Sequence, residues 1–452
     1  MKLFVRDRAF YKSVCMISLP IIAQSLITAG VNMMDTMMLT ACGETQLSAS
    51  SLANQYISLF QIMCLGLGFG ASVLTSRFWG TGDTGSIKKV TTLMLRIGIV
   101  FALAFNVLTF VAPGWIMRIY TPEEDIIYEG IRYLRISAFT FLLHGIAQTL
   151  TAVLRSVRQV KLPLYTSIVA FFVNIFFNWV FIFGKLGAPA LEIEGAAWGT
   201  LIARVVECAM IGGYFLFVDK KIGYRIADLF RSCKGYLRDY IRFCVPVLIS
   251  DTLLGLGNNM VSVIMGHIGA NFVAAFAVVS QITRMTTVLT QGVSNSASVI
   301  TGNTIGAGEK EKAYAQGVTF LSLSVAVGLL ASLVIFIICP FVLGACNLTE
   351  ETYDIAMQLV YSVIVTVVFS SVQSVLTKGV LRGAGDTRFL MIADILFLWL
   401  ASVPLGYLSG IVWGWPAFWV YMCLHADWVI KSVWCTIRLF KGKWVHNSLS
   451  RR

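Results

Sequence analysis

Apolar residues occur along this chain in runs long enough to cross a lipid bilayer. A helix of about 20 apolar residues spans the ~30 Å hydrocarbon core, and windows of that length predict twelve spans. Each span must be a helix, because unpaired backbone groups are prohibitive in lipid and the runs are too long for barrel strands. The predicted spans lie near residues 15–39, 48–75, 93–117, 136–154, 162–183, 195–216, 241–265, 273–301, 315–343, 357–380, 389–408 and 416–437. The predicted fold is therefore an all-α integral membrane protein with twelve transmembrane helices.

The composition agrees with a surface that faces lipid. Of the 452 residues, 57% are hydrophobic and 13% are charged, which is about half the charged fraction of a soluble globular protein. The mean hydropathy is +0.78. A net charge of +12 is compatible with nucleic acid as a partner, but Lys and Arg lie mostly in short gaps between apolar runs, as they do when they set membrane orientation. We therefore expect the lipid bilayer as a partner and no nucleic acid.

Lys and Arg are divided unequally between the two sides of the predicted membrane. With residues 1–14 on the inside, the inside segments carry 25 Lys and Arg and the outside loops carry four. Basic residues are enriched in the cytoplasmic loops of membrane proteins. The asymmetry predicts that both termini lie in the cytoplasm. We expect a multi-pass protein of a prokaryotic inner (cytoplasmic) membrane.

The two halves of the sequence resemble each other at an offset of 226 residues. The aligned pairs are Pro20 with Pro246, Asn32 with Asn258, Gly43 with Gly269, Gln55 with Gln281, residues 71–75 (ASVLT) with 297–301 (ASVIT), and the Gly-x-Gly-acid stretches 80–83 and 306–309. Matched Pro, Asn and Gly positions at one offset indicate a duplication. Each half holds an even number of spans, so the halves form a parallel repeat, a plan that secondary transporters use.

The repeat predicts the domain organisation. We expect an N-terminal lobe of six helices over residues 1–216 and a C-terminal lobe of six helices over 239–452, which ends in a short basic tail. A basic linker, residues 217–238, joins the two lobes in the cytoplasm.

At these positions the chain resembles the multidrug and toxic compound extrusion (MATE) family of transporters. The matching pieces are Pro20 and Asp35 in the first span, the two Gly-x-Gly-acid loops, residues 154–156 (LRS) before 161–163 (KLP), and residues 381–387 (LRGAGDT). The resemblance implies two six-helix lobes around a V-shaped cavity. It also implies multidrug efflux by alternating access, in which organic, cationic or amphipathic compounds leave in exchange for Na⁺ or H⁺. No cofactor is expected beyond the coupling ion, and we expect a functional monomer.

Five acidic residues lie inside predicted spans, where a carboxylate costs about 2.5–3.5 kcal/mol on insertion scales. They are Asp35, Glu207, Asp251, Asp394 and Asp427. Glu207 is three residues from Arg204, and Asp427 is four residues from Lys431, so both acids are predicted to pair with a base on their own helix. For Asp394 the sequence leaves the partner open between Lys378 and Arg284.

Asp35 has no Lys or Arg within four residues. In the family that the chain resembles, an acid at this point binds the coupling cation together with polar groups of spans 5 and 6. This chain has Asn174, Asn178 and Thr200 at the matching places. Their oxygen atoms are hard ligands that suit a small cation or a proton relay, and Na⁺ would contact Asp35, Asn174 and Asn178. The alternative is a hydrogen-bonded cluster that only holds helices together.

Asp251 is a second acid without a partner on its own helix, and Ser25 occupies the equivalent position in the first half. Together with Asn258 and Gln281, Asp251 is a candidate for contact with substrate or with a second cation. Asn258 and Gln281 are equally suited to hydrogen bonds between neighbouring helices.

Two other functions are compatible with a membrane protein of this length. A flippase for lipid-linked sugars shares a two-lobe helical plan, but few basic residues lie in the predicted spans to bind phosphate-bearing lipids, which favours the exporter. An enzyme is not expected, because the four histidines lack metal-ligand spacing. There is also no Gly-rich loop with the Lys-Ser or Lys-Thr that ATP binding requires.

The charge asymmetry makes a prediction about topology. In a cysteine-free background, a cysteine placed at position 225 or 447 should resist a membrane-impermeant maleimide in intact cells, because both positions are predicted to face the cytoplasm. A cysteine in place of Asp125, in a predicted outside loop, is the positive control. Labelling of position 225 or 447 from outside would contradict the topology.

Overall fold

The computed structural model describes residues 4–345 and 349–446, and within them it contains helices and short connections but no β-strand. The α-helices are α1 (Arg8–Thr40), α2 (Glu44–Thr81), α3 (Thr84–Val111), α4 (Pro113–Tyr120), α5 (Glu124–Ser156), α6 (Lys161–Phe183), α7 (Ile193–Gly213), α8 (Lys234–Ile268), α9 (Ala270–Gly306), α10 (Lys310–Ala345), α11 (Glu350–Ser374), α12 (Thr387–Phe397), α13 (Val403–Tyr407), α14 (Ala417–Leu424) and α15 (Ala426–Phe440). The all-α prediction is confirmed.

Several of these helices continue or adjoin a differently wound segment. The π-helical segments are Tyr214–Val218, Val375–Leu381, Leu398–Ser402 and Leu408–Val412, and the 3₁₀ segments are Ile226–Phe230 and Lys443–His446. A π segment adds a residue to a helical turn and is frequent at functional sites. Three of the four π segments lie between α11 and α14.

Eleven helical stretches in the described residues are long and apolar enough to cross a membrane, and they fall at the first eleven predicted spans. The twelfth predicted span, 416–437, contains α14 and α15, which have 8 and 15 residues and meet at His425. Neither alone has the length of about 20 residues that a spanning helix needs. A twelfth transmembrane helix therefore remains a prediction.

The chain forms two compact units. The N-terminal unit comprises Ala23–Thr75 and Gly82–Cys244, and the C-terminal unit comprises Met1–Ile22, Ser76–Thr81 and Val245–Arg452. The divisions within α1 and α8 fall within two residues of Pro20 and Pro246. Proline lacks the N–H that a helix interior uses, so the helix is weakest there. The lobe boundaries at residues 216 and 239 stay a prediction, and the basic tail beyond residue 446 lies outside the described residues.

The core of the N-terminal unit forms where α5 packs against α3 and α7, and where α6 packs against α7. Aromatic side chains fill its centre: the ring centroids of Phe60 and Phe141 lie 4.8 Å apart in an edge-to-face arrangement, and Tyr56 and Phe105 pack beside them. Aromatic rings prefer this geometry to a face-to-face stack. This core holds α6 and α7 side by side.

The core of the C-terminal unit forms where α9, α10 and α11 pack against one another. Its fully buried side chains include Ile335, Leu359 and Leu424. The π segment Val375–Leu381 packs on α9, where a Cβ on Gly379 would overlap Ala297 and Ser294. This segment therefore requires glycine at position 379.

The ends of α2 and α9 make a reciprocal close contact within the C-terminal unit. A Cβ on Gly80 would overlap the backbone of Asn303, and a Cβ on Gly306 would overlap the backbone of Arg77. Just beyond, Gly82 and Gly308 have φ of +75° and +81°, a left-handed conformation that ends helices and favours glycine. The two Gly-x-Gly stretches therefore combine close packing with helix termination.

Asp83, the acid of the first stretch, caps the following helix. Its carboxylate accepts hydrogen bonds from the backbone N–H and the hydroxyl of Ser86, at 2.9 and 2.5 Å. Burial raises the pKa of Asp83, but these hydrogen bonds, with that from the Gly85 backbone and the charge of Lys89, outweigh burial and leave the pKa below its usual value. An ionised acid here stabilises the start of α3.

The glycine contacts generate a prediction. Gly80→Ala and Gly306→Ala should each destabilise the protein by about 1–3 kcal/mol, because the new methyl group meets backbone that no side-chain rotation can move. Thermal unfolding of the purified protein, followed by tryptophan fluorescence, measures this. Gly212→Ala in α7, where a Cβ meets nothing within 4 Å, is the control and should be neutral or slightly stabilising. Equal stability of all three variants would contradict the close packing.

Candidate functional site

The four residues predicted around Asp35 lie together in the N-terminal unit. Asp35, on α1, accepts a hydrogen bond of 2.5 Å at Oδ1 from the Nδ2 of Asn178 on α6. The same Nδ2 lies 3.3 Å from Oδ1 of Asn174, one turn away. The Nδ2 of Asn174 in turn donates to the hydroxyl of Thr200 on α7, at 3.4 Å. Carboxylate, two amides and a hydroxyl therefore form one hydrogen-bonded chain, the Asp35 cluster. That the cluster binds a cation remains a prediction.

Close helix packing sets the position of the Asn178 amide. Asn178 is fully buried, and a Cβ on Gly199 of α7 would overlap its Oδ1. Only glycine at position 199 therefore lets α7 approach α6 this closely. Small residues commonly allow such approach between membrane helices.

Asn178 also provides an acceptor atom that the protein leaves unused. Its Oδ1 is buried and has no hydrogen-bond partner among the described residues. A buried carbonyl oxygen without a donor is unfavourable, and a cation or a protonated group would satisfy it. The Asp35 carboxylate, the amide oxygens and the Thr200 hydroxyl are hard oxygen donors of the kind that a small cation takes, although the Asn178 amide presents its Nδ2 to Asp35 and its Oδ1 to Gly199. The described residues hold no group of three or more His, Cys, Asp or Glu side chains that could bind a metal.

The predicted pair of Arg204 and Glu207 is confirmed. The Arg204 guanidinium forms a salt bridge with the Glu207 carboxylate across one turn of α7, and its charge also acts on Asp35. Asp35 itself forms no salt bridge within the described residues. Its negative charge is therefore met only by an amide and by a more distant, already paired guanidinium.

Two residues near the Asp35 cluster were not predicted from the sequence. Tyr133, on α5, is buried and lies within electrostatic range of Asp35. His144, on the same helix, has two buried ring nitrogens without a hydrogen-bond partner in the described part of the chain. The available signal was the rarity of ionisable side chains such as histidine inside a span.

In the C-terminal unit, Asp251 has a partner. Arg382 donates from Nη1 and Nη2 to the two oxygens of Asp251, at 3.2 and 2.8 Å. Among the described residues Asp251 has no salt-bridge partner on its own helix, as expected, but it pairs with a base from a distant part of the chain, which the sequence did not predict. Asn258 and Gln281 are exposed, and the structure gives no hydrogen bond that joins either side chain to Asp251. Contact of these three residues with substrate or cation stays a prediction.

The remaining two acids share one lysine. Lys431 lies 2.9 Å from Asp427 and 3.1 Å from Asp394. The predicted pair of Asp427 and Lys431 is confirmed. For Asp394, neither Lys378 nor Arg284 is the salt-bridge partner, because α15 brings Lys431 against α12.

A family model described as MatE matches this chain twice, over residues 20–180 and over residues 246–408. Curated bacterial proteins are similar over most of its length. The uncharacterized transporter YisQ of Bacillus subtilis is 22% identical over 419 residues, 92% of this chain and 91% of that protein. A probable multidrug resistance protein NorM of Thermotoga maritima is 22% identical over 445 residues, 98% of this chain and 94% of that protein.

Solved structures share the fold. The MATE transporter VcmN of Vibrio cholerae, solved as a mutant, superimposes with a TM-score of 0.88 at 17% identity, over 97% of this chain and 98% of that chain. A multidrug resistance MATE family transporter of the MOP superfamily, in an outward-facing conformation, superimposes with a TM-score of 0.85 at 19% identity, over 96% of each chain.

The contact between Gly199 and Asn178 generates a prediction. Gly199→Ala should destabilise the protein, because the new methyl group displaces the Asn178 amide. The loss should be smaller in an Asn178→Ala background, where the overlapping oxygen is absent. A double-mutant cycle of thermal stabilities should give a coupling of about 0.5–3 kcal/mol. Strict additivity would show that the two residues do not touch.

Proposed function

Because the chain belongs to the MATE family of transporters, we propose that it is a secondary active antiporter that exports organic compounds in exchange for Na⁺ or H⁺ by alternating access. Relatives that carry the name multidrug resistance protein NorM support multidrug efflux, with cationic or amphipathic substrates. The multi-pass helical fold and the bacterial relatives support a location in a prokaryotic inner membrane. The basic inside segments support cytoplasmic termini.

One observation carries the proposal: Asp35 is the one acid of the five without a salt bridge in the described residues. Glu207 pairs with Arg204, Asp251 with Arg382, and Asp394 and Asp427 with Lys431. An acid held inside a membrane by a neutral amide needs a proton or a cation to offset its charge. Asp35 is therefore the coupling site, with Asn174, Asn178 and Thr200 as its neutral ligands.

The coupling follows from the chemistry of that site. An ion drives a conformational change only when its affinities for the two conformations differ. The Asp35 cluster draws on α1, α6 and α7, so a relative movement of these helices changes how many oxygen atoms surround the ion. In this way the ion gradient biases the equilibrium between the two conformations.

The two-lobe architecture belongs to the same proposal. The family model matches both halves, at starting residues 226 apart. The reciprocal contact of α2 and α9 supports a repeat. Gly80 contacts Asn303, and Gly306 contacts Arg77. At the offset of 226, Gly80 is equivalent to Gly306 and Arg77 is equivalent to Asn303. We propose twelve transmembrane segments, with α14 and α15 as the twelfth.

The flippase alternative needs exposed cations to bind lipid phosphates. Two of the basic residues in the predicted spans, Arg204 and Lys431, are each occupied by a carboxylate, and this favours the exporter modestly. An enzyme is not proposed, since MATE family members are transporters. We propose a functional monomer.

The proposal predicts the effect of removing one charge. Asp35→Asn keeps the shape of the side chain but removes the titratable group, so gradient-driven export should be lost while folded protein is still obtained. Asn178→Ala should weaken coupling less, because it removes one neutral ligand. Export of a panel of cationic and neutral compounds from proteoliposomes, under separately imposed Na⁺ and proton gradients, measures both effects and identifies the coupling ion.

The matched control is Asp354→Asn, which removes the same charge from an exposed position near the start of α11. This variant should export at the wild-type rate. If Asp35→Asn also exports against a gradient at that rate, the coupling acid lies elsewhere.

A further inference from the structure

The C-terminal unit contains a buried cation between two carboxylates. The Lys431 ammonium lies 2.9 Å from Oδ2 of Asp427 and 3.1 Å from Oδ1 of Asp394, and the side chains of all three residues are at most 5% exposed. Asp427 and Lys431 are one turn apart on α15, whereas Asp394 comes from α12. The three residues are called the Lys431 cluster below.

Every carboxylate oxygen in the Lys431 cluster has a partner. Ser250, on α8, donates to Oδ2 of Asp394 at 2.6 Å. Ser402, in the π segment Leu398–Ser402, donates to Oδ1 of Asp427 at 2.9 Å and accepts from the Asp427 backbone N–H at 2.8 Å. The ammonium occupies the other two oxygens. Unlike the Asp35 cluster, where the Asn178 oxygen is unpartnered, this cluster leaves no carboxylate oxygen unused.

The surrounding charges are balanced as well. Asp251 is paired with Arg382, and Lys378 lies within electrostatic range of Asp251, Asp394, Arg382 and Lys431. The set thus contains three carboxylates and three cationic side chains. An added cation would find each of these carboxylates already paired with a basic side chain.

We propose that Lys431 is a built-in counter-ion that leaves Asp394 and Asp427 no room for an exchangeable cation, so that the protein exchanges a single ion in each cycle, at Asp35. An ammonium group resembles an alkali cation, because it is a compact single positive charge that carboxylate oxygens surround. Because the ammonium is covalently attached to the protein, it cannot be released to either side of the membrane. Its departure would also leave two buried carboxylates without a cation, which is strongly unfavourable. This inference rests on the proposed antiport function and adds the location and number of its exchangeable ions.

The inference is tested by removing the built-in cation. The background is Asp35→Asn, which silences the first site, and the added change is Lys431→Met, which keeps a long unbranched side chain without charge. Two facing carboxylates should then acquire either one Na⁺, measured as ²²Na⁺ binding to purified protein, or one proton, measured as a new carboxylic-acid band in the infrared spectrum. Addition of Asp394→Asn should abolish Na⁺ binding, which needs both carboxylates, and should leave only the carboxylic-acid band of Asp427.

A matched variant separates loss of folding from loss of binding. Lys431→Met with Asp394→Asn and Asp427→Asn, in the same background, removes the lysine and both acids together and so leaves no uncompensated charge. It should be monodisperse and should bind neither ion. The stoichiometry can also be measured on the wild-type protein. At a fixed ion gradient, the opposing substrate gradient at which net export stops should correspond to one ion exchanged per cycle.

Three results would overturn the inference. One is that the Asp35→Asn protein, with Lys431 intact, binds an ion and that the added change Asp394→Asn abolishes this binding. Another is a folded Lys431→Met protein, in the Asp35→Asn background, that gains neither Na⁺ nor a proton. The third is a wild-type stoichiometry of two ions. The antiport proposal has its own test: it fails if the Asp35→Asn single variant exports at the wild-type rate.

Discussion

The structure depends on the cost of placing a carboxylate in hydrocarbon, because every acid inside a span needs a compensating group. In the C-terminal unit the compensation is internal: Arg382 pairs with Asp251, and Lys431 lies between Asp394 and Asp427. These ion pairs join α8, α12 and α15 with the residues that follow α11. Asp35 differs because a neutral amide is its hydrogen-bond partner.

The two halves use one arginine position in different ways. Arg155 donates to the side-chain oxygen of Gln24 in the N-terminal unit. Arg382, which matches Arg155 when one residue is inserted at the offset of 226, binds Asp251 in the C-terminal unit. The first partner is neutral and the second is an acid. Gln24 aligns with position 250, one residue before Asp251. The arginine therefore forms a neutral hydrogen bond in the first half and an ion pair in the second.

Much of the fold could be predicted from the sequence, because hydropathy and helix periodicity are local properties. The first eleven spans were located in order, and the structure shows helices at each of them. The pairs of Arg204 with Glu207 and of Asp427 with Lys431 followed from spacings of three and four residues, which place side chains on one helix face. The interruption at His425 between α14 and α15 was missed, since the apolar pattern continues through it.

The sequence by itself determined which eleven stretches form apolar helices long enough to cross a membrane, and the family resemblance identified Asp35 and its amide neighbours as a candidate site. Only the tertiary structure decided how groups on different helices meet. Arg382 reaches Asp251 across 131 positions of sequence, Lys431 reaches Asp394, and Gly199 positions the Asn178 oxygen. Such contacts depend on the rotation, depth and closeness of each helix, which follow from the packing of many side chains at once. An apolar run fixes that a helix spans the membrane, but it does not specify which face meets which neighbour.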